Sequence, residues 1–300
     1  MMPDINNAMP LTGLLAYSPY WFATVVGVAG LIVGSFLNVV IYRLPIMMHR
    51  NWRQECLDFL QIEADVTEGQ AARFNLAWPG SHCPHCQAAV KPQQNVPILS
   101  YVLLRGRCAA CNQAISLRYP LVEGFTALLS VIVALHFGYG LPCLFALLLT
   151  WSLIAMSFID IDHHLLPDSI SLPLMWAGLL LSLPNVFTNA HDSIIGAAAG
   201  YMGLRVFYQL FKWLTGKEGM GYGDFKLLAV LGAWLGWQYL PQIIFLSSMV
   251  GAILGIAMVL SGKRDYTTPI PFGPYLAAAG WLALIWGPTI NQWYLNLMGF

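Results

Sequence analysis

Long apolar runs separated by short polar breaks set the pattern of this chain. Continuous apolar stretches fall at about 21–42, 120–138, 143–160, 169–187, 193–214, 225–240, 242–261 and 273–290. A helix of about 20 apolar residues crosses the hydrocarbon core of a bilayer, so each run reads as a spanning helix. Glycines recur four residues apart within them, at Gly30 and Gly34, Gly196 and Gly200, and Gly251 and Gly255. Such spacing lets neighbouring helices approach closely and predicts packing contacts. The only long polar stretch is 43–119. The pattern predicts an all-α polytopic membrane protein of about eight transmembrane helices with one small insertion. Three parts are expected: 1–42 with the first span, 43–119 as a cytoplasmic insertion, and 120–300 as a seven-helix membrane domain.

Composition strengthens this reading. Apolar residues make up 58% of the 300, charged residues 9%, and the mean hydropathy is +0.63. A soluble domain carries roughly a quarter charged residues, so this chain lacks the polar surface to cover a water-facing shell. Zero net charge gives no basic face for a nucleic-acid partner. Residues 1–20 contain no Lys or Arg, which argues against a secretory signal and for a retained anchor.

The cations report orientation. Arg43, Arg50 and Arg53 follow the first run; Arg105, Arg107 and Arg118 precede the second. Lys212 and Lys217 flank the end of the fifth, and Lys263 and Arg264 follow the seventh, whereas the alternate loops near 139–142, 184–192 and 240–242 carry none. Lys and Arg accumulate in cytoplasmic loops, so an even number of spans with both termini periplasmic is expected. Arg205 breaks the pattern from inside the fifth run. It reads as paired with an Asp or a carbonyl, as snorkelling to the interface, or as a substrate contact.

The insertion contains Cys83-Pro84-His85-Cys86 and Cys108-Ala109-Ala110-Cys111. Two Cys-x-x-Cys turns at this separation match a zinc-ribbon layout, each turn offering two thiolates to one tetrahedral ion. A redox pair is the other reading. His82 and His85 are neighbours of an already complete four-sulfur shell, and such a closed shell is structural. Cys56 and Cys143 read as buried thiols without metal partners.

Acidic residues gather at two helix ends. One stretch runs Asp160-Ile161-Asp162-His163-His164-Leu165-Leu166-Pro167-Asp168, the other Gly219-Met220-Gly221-Tyr222-Gly223-Asp224. Asp168 after Pro167 fits a helix-start role through the helix dipole. Asp160 and Asp224, on separate helices at the same interface, form a pair that can share one proton. One then acts as acid while the other activates water.

Gly221-x-Gly223-Asp224 resembles the signature of the Gly-x-Gly-Asp intramembrane aspartic peptidases, and Asp160 through Asp168 resembles the partner motif of prepilin leader peptidases. The resemblance extends to Gly34-Ser35-Phe36-Leu37-Asn38 through Arg43-Leu44-Pro45, both cysteine turns, Arg118 to Glu123, and Thr268 to Pro274. It implies Asp160 and Asp224 as the catalytic pair, Cys83, Cys86, Cys108 and Cys111 as structural zinc ligands, and a bacterial inner-membrane enzyme with its site at the cytoplasmic face. It also implies cleavage of type IV prepilins and secretion pseudopilins after a leader glycine, followed by N-methylation with S-adenosylmethionine. Asn38, Arg43 and Arg105-Gly106-Arg107 are candidates for the methylation step, and no glycine fingerprint of soluble methyltransferases is present. A transporter with a zinc-bearing cap is the alternative from another class, but matched halves are missing. A zinc protease lacks His-Glu-x-x-His, and no Gly-x-Ser near a base histidine supports a serine protease.

Overall fold

The computed structural model describes residues 18–62, 74–217, 219–260 and 270–298. Residues 1–17, Lys263, Arg264 and the start of the Thr268–Pro274 block lie outside them. The described residues contain eight helices of 14 or more residues, one per predicted run, and no strand beyond two isolated bridges. Five are long and apolar enough to cross a membrane: Pro19–Phe59, Arg118–Phe137, Leu141–His163, Ala190–Thr215 and Trp237–Met258. The expectation of about eight spans is thus met by length and composition at five. The chain divides into two compact units, Met1–Cys143 and Leu144–Phe300.

In the first unit, helix α1 (Pro19–Phe59) opens with Ser18, whose hydroxyl accepts from the Trp21 amide, and with Pro19 at its first position. A missing N–H costs nothing at that position. The helix does not stop at residue 42, where the apolar run ends. It passes through Pro45 and continues for 41 residues, about 60 Å at 1.5 Å per residue and twice the hydrocarbon thickness. Its second half therefore stands beyond the lipid core. Helix α1 packs on helix α3 (Arg118–Phe137) through its small residues. A Cβ at Gly30 would lie 2.8 Å from Ser130 Oγ, and one at Gly34 2.8 Å from Glu123 Cα. Between them come the cysteine turns and a short helix α2 (Leu99–Leu103). Cys56 is exposed on α1, contrary to its reading as a buried thiol; Cys143 is buried.

Helix α4 (Leu141–His163) leads into the second unit, which continues with α5 (Asp168–Leu181), α6 (Ala190–Thr215), α7 (Tyr222–Leu235), α8 (Leu240–Leu260) and α9 (Gly273–Met298). Helix α7 is the centre. From Asp224 to Leu235 every residue except Lys226 is buried. An all-round apolar helix needs apolar neighbours on every side, and α5, α6 and α9 supply them. Glycine lets α6 touch α7 backbone to backbone: a Cβ at Gly196 would strike the Gly232 carbonyl, and one at Gly200 would lie 2.7 Å from the Leu228 carbonyl oxygen. Two polar side chains in this core are paired across helices. Trp234 Nε1 donates to the Leu174 carbonyl at 2.7 Å, and Ser193 Oγ to the Ala233 carbonyl at 2.6 Å. With 14 residues, α7 rises only about 21 Å, so its first turn ends inside the unit with Asp224 enclosed.

Arg205 sits on the exposed side of α6, and its Nη1 donates to Tyr201 Oη at 3.4 Å. Among the described residues no Asp is paired with it.

Candidate active site and metal centre

Asp160 lies in the last turn of α4 and Asp224 in the first turn of α7, 6% exposed each. Burial of two carboxylates is costly without compensating donors. For Asp160 the donor is the Gly273 amide at the start of α9, which reaches Oδ2 at 3.0 Å. An amide at a helix N-terminus also offers the positive end of the helix dipole. Glycine is required there by space: a Cβ at 273 would lie 2.6 Å from Asp160 Oδ2 and 3.3 Å from Leu166 Cδ1. Leu166 meets Gly223 as well, where a Cβ would approach its own Cβ to 2.8 Å. Gly223 and Gly273 thus let three chain segments close around one leucine and bring the carboxylates together. The two carboxylates are near enough for the charge of Asp160 to act on Asp224.

The structure gives Asp168 a partner that sequence reading missed. Lys226 Nζ, two residues after Asp224, donates to both Asp168 carboxylate oxygens at 2.7 Å. Pro167 is the N-cap of α5, and no side-chain cap bond forms there. Asp168 therefore ties the start of α5 to the first turn of α7, in addition to sitting at a helix start. Asp162 is exposed. Gly273 entered the sequence reading only within the Thr268–Pro274 block; the Pro-Phe-Gly-Pro run was the signal for it.

In the first unit the four cysteines converge. Their Sγ atoms all lie within 4.8 Å of one another, with Cys83 and Cys111 at 3.9 Å. Four thiolates about 2.3 Å from a tetrahedral zinc would stand about 3.8 Å apart, so the cluster fits that ion. The two turns are built alike. Cys83 N–H bonds the Ala88 carbonyl and Cys108 N–H the Gln113 carbonyl. Gln87 and Asn112 both adopt positive φ, and bridges His82–Ala89 and Arg107–Ala114 close each turn. Backbone amides point back at sulfur. Those of Cys111 and Ala110 hold the Cys108 thiol down at about 6, and those of Cys86 and His85 lower Cys83. Thiolate is the metal-binding form, so the first sulfur of each turn is favoured as a ligand, whereas at Cys111 the Gln113 amide is outweighed by burial and the neighbouring sulfurs, which push the thiol up to about 11.

Two methylation candidates have structural duties. Asn38 Nδ2 donates to the Tyr119 carbonyl at 3.2 Å. Arg43 is 7% exposed and donates to the carbonyls of Asn75, Leu76 and Pro79, at 3.0, 3.4 and 2.6 Å. Arg105 and Arg107 are exposed.

Residues 28–137 match the model of the bacterial peptidase A24 N-terminal domain, and residues 147–256 that of the type IV leader peptidase family. The chain is 54% identical over 282 residues to a prepilin leader peptidase/N-methyltransferase of Stutzerimonas stutzeri, covering 94% of this chain and 96% of the relative. It is 53% identical over 292 residues to the one of Pseudomonas aeruginosa (97% and 100%) and 44% identical over 286 to the one of Legionella pneumophila (95% and 99%). The chain belongs to the type IV leader peptidase family. In this family member both aspartates fall inside the second matched region and all four cysteines inside the first. No solved structure matches it.

Proposed function

We propose that this multi-pass membrane protein cleaves the leader peptide of type IV prepilins and pseudopilins, and then N-methylates the new N-terminal residue. The observation that carries the peptidase reading is a pair of buried carboxylates, Asp160 and Asp224, brought from separate helices around Leu166, with Asp160 held by the Gly273 amide. Relatives across nearly the whole chain bear the name of both activities.

In this mechanism one carboxylate takes a proton from water as it attacks the carbonyl carbon of the leader glycine. The other, protonated, gives its proton to the carbonyl oxygen; as the gem-diol collapses it takes that proton back, and the first carboxylate passes the proton it took from water to the leaving amine. The enzyme forms no covalent intermediate. Gly273 keeps Asp160 from turning away from the scissile bond. Cys83, Cys86, Cys108 and Cys111 would hold a structural zinc ion, with no open position for substrate. S-adenosylmethionine, when bound, supplies the methyl group for the new amine. The Lys and Arg distribution supports an inner-membrane orientation with both termini periplasmic and the aspartates at the cytoplasmic face.

The test is cleavage of a prepilin-like peptide by the purified protein. Asp160→Asn and Asp224→Asn should each abolish cleavage while a pre-cleaved pilin peptide is still methylated. Substantial cleavage by Asp224→Asn would sink the dyad.

A further inference from the structure

The polar stretch 43–119 contains an element that does not look like a water-facing surface. Helix α2 and the residue three before it turn Val96, Leu99, Val102 and Leu103 outward, with exposures of 40, 56, 64 and 73%. Leu99, Val102 and Leu103 share one face of the helix and Val96 precedes it in extended backbone, while Ser100, Tyr101 and Leu104 are half-buried. Leu117, Leu121, Phe125 and Leu128, on and just before α3, are exposed as well.

Two contacts fix its level. The Ile98 amide donates to Glu123 Oε2 at 2.8 Å, and Ile98 Cδ1 lies 3.6 Å from where a Cβ of Gly124 would be. Helix α3 has 20 residues and rises about 30 Å, the thickness of the hydrocarbon core, so its Arg118 end has no length to spare above the lipid boundary. Glu123 is five residues further in, about 7.5 Å along the axis. Interfacial helices bury their apolar face by about 5–10 Å. Helix α2 therefore lies beside the first turn and a half of α3, at a depth where that helix already meets lipid.

We propose that Val96, Leu99, Val102 and Leu103 are seated in the cytoplasmic leaflet, making α2 an interfacial anchor of the cysteine module. The element is tied to that module. Tyr101 Oη donates to the Ile115 carbonyl at 3.3 Å, and a Cβ at Gly106 would collide with the Tyr101 ring at 2.7 Å from its hydroxyl. Gly106 immediately precedes Arg107 and the second cysteine turn. Submerging α2 therefore fixes the orientation of the four-thiolate site on the membrane surface. Exposed Arg105 and Arg107 follow the apolar stripe, where lipid phosphates would meet them.

The test places a nitroxide on a ketone-bearing residue substituted for Leu103 in the full-length protein, which leaves all cysteines untouched. Collision rates with oxygen and with a water-soluble nickel chelate are measured in lipid nanodiscs. Leu128, on the lipid-facing side of α3, and Ala109, in the exposed cysteine turn, are the references. The label at 103 should match Leu128, with high oxygen and low nickel collision. Values matching Ala109 would overturn the proposal. So would low collision with both reagents, which means a protein surface covers the stripe. Val102 carries the same label as a second position, and retained peptide cleavage confirms the fold of each labelled protein.

Discussion

Replacing Gly273 with alanine puts one methyl group where Asp160 now rests. The added Cβ would lie 2.6 Å from Oδ2, 3.2 Å from Cγ and 3.3 Å from Leu166 Cδ1. Ordinary contact begins at 3.4 Å, so the carboxylate must retreat by about 0.8 Å. Leu166 blocks part of the way. Retreat stretches or breaks the amide bond to Oδ2, and hydrogen bonds to charged groups contribute about 1.5–3 kcal/mol. A misplacement near 1 Å costs on the order of 100-fold in rate. The two figures agree on a fall in kcat of about 10- to 100-fold, or about 1.4–2.7 kcal/mol in activation free energy. Gly221→Ala is the control. Its Cβ would lie 3.8 Å from Asp224 Oδ2, an ordinary contact, and its φ of −82° suits any residue. It should change kcat less than about threefold. Both proteins are assayed for cleavage of a prepilin-like peptide, and for methylation of a pre-cleaved one as a check on folding. If Gly273→Ala cleaved with wild-type kcat, the amide would not be what positions Asp160.

Lys226→Ala should slow cleavage several-fold and lower the melting temperature little, because the half-exposed pair contributes at most about 1 kcal/mol. Exchanging the charges with Asp168→Lys and Lys226→Asp should recover part of the rate; a double variant no faster than the single would make the pair incidental. Cys83→Ser with Cys108→Ser should lose bound zinc by elemental analysis and impair methylation at least as much as cleavage, whereas unchanged zinc would mean the ion binds elsewhere. The dyad requires one proton between two carboxylates, so kcat/KM should follow a bell. It falls in acid as both aspartates protonate and no base is left, and in alkali as both ionise and no acid is left. Asp168→Asn should keep the bell, and a flat profile into alkaline pH with intact folding would rule out proton sharing.

The sequence by itself determined what depends on neighbours along the chain. Runs of about 20 apolar residues announce helices in lipid because length and hydropathy are properties of the segment alone. Each Cys-x-x-Cys turn is also local, since its N–H···S and turn bonds join residues within a few positions. Asp160 and Asp224 were legible through their motifs and the family those resemble. Tertiary structure decided the rest. Gly273 stands 113 residues from Asp160 and Lys226 stands 58 from Asp168, and no local period links either pair. Helix α1 continues past 42, where the first apolar run ends, because hydropathy marks where the lipid stops, whereas backbone hydrogen bonds decide where the helix does. Likewise α2 belongs to a polar stretch by composition. Only the bond from the Ile98 amide to Glu123 ties it to the start of α3.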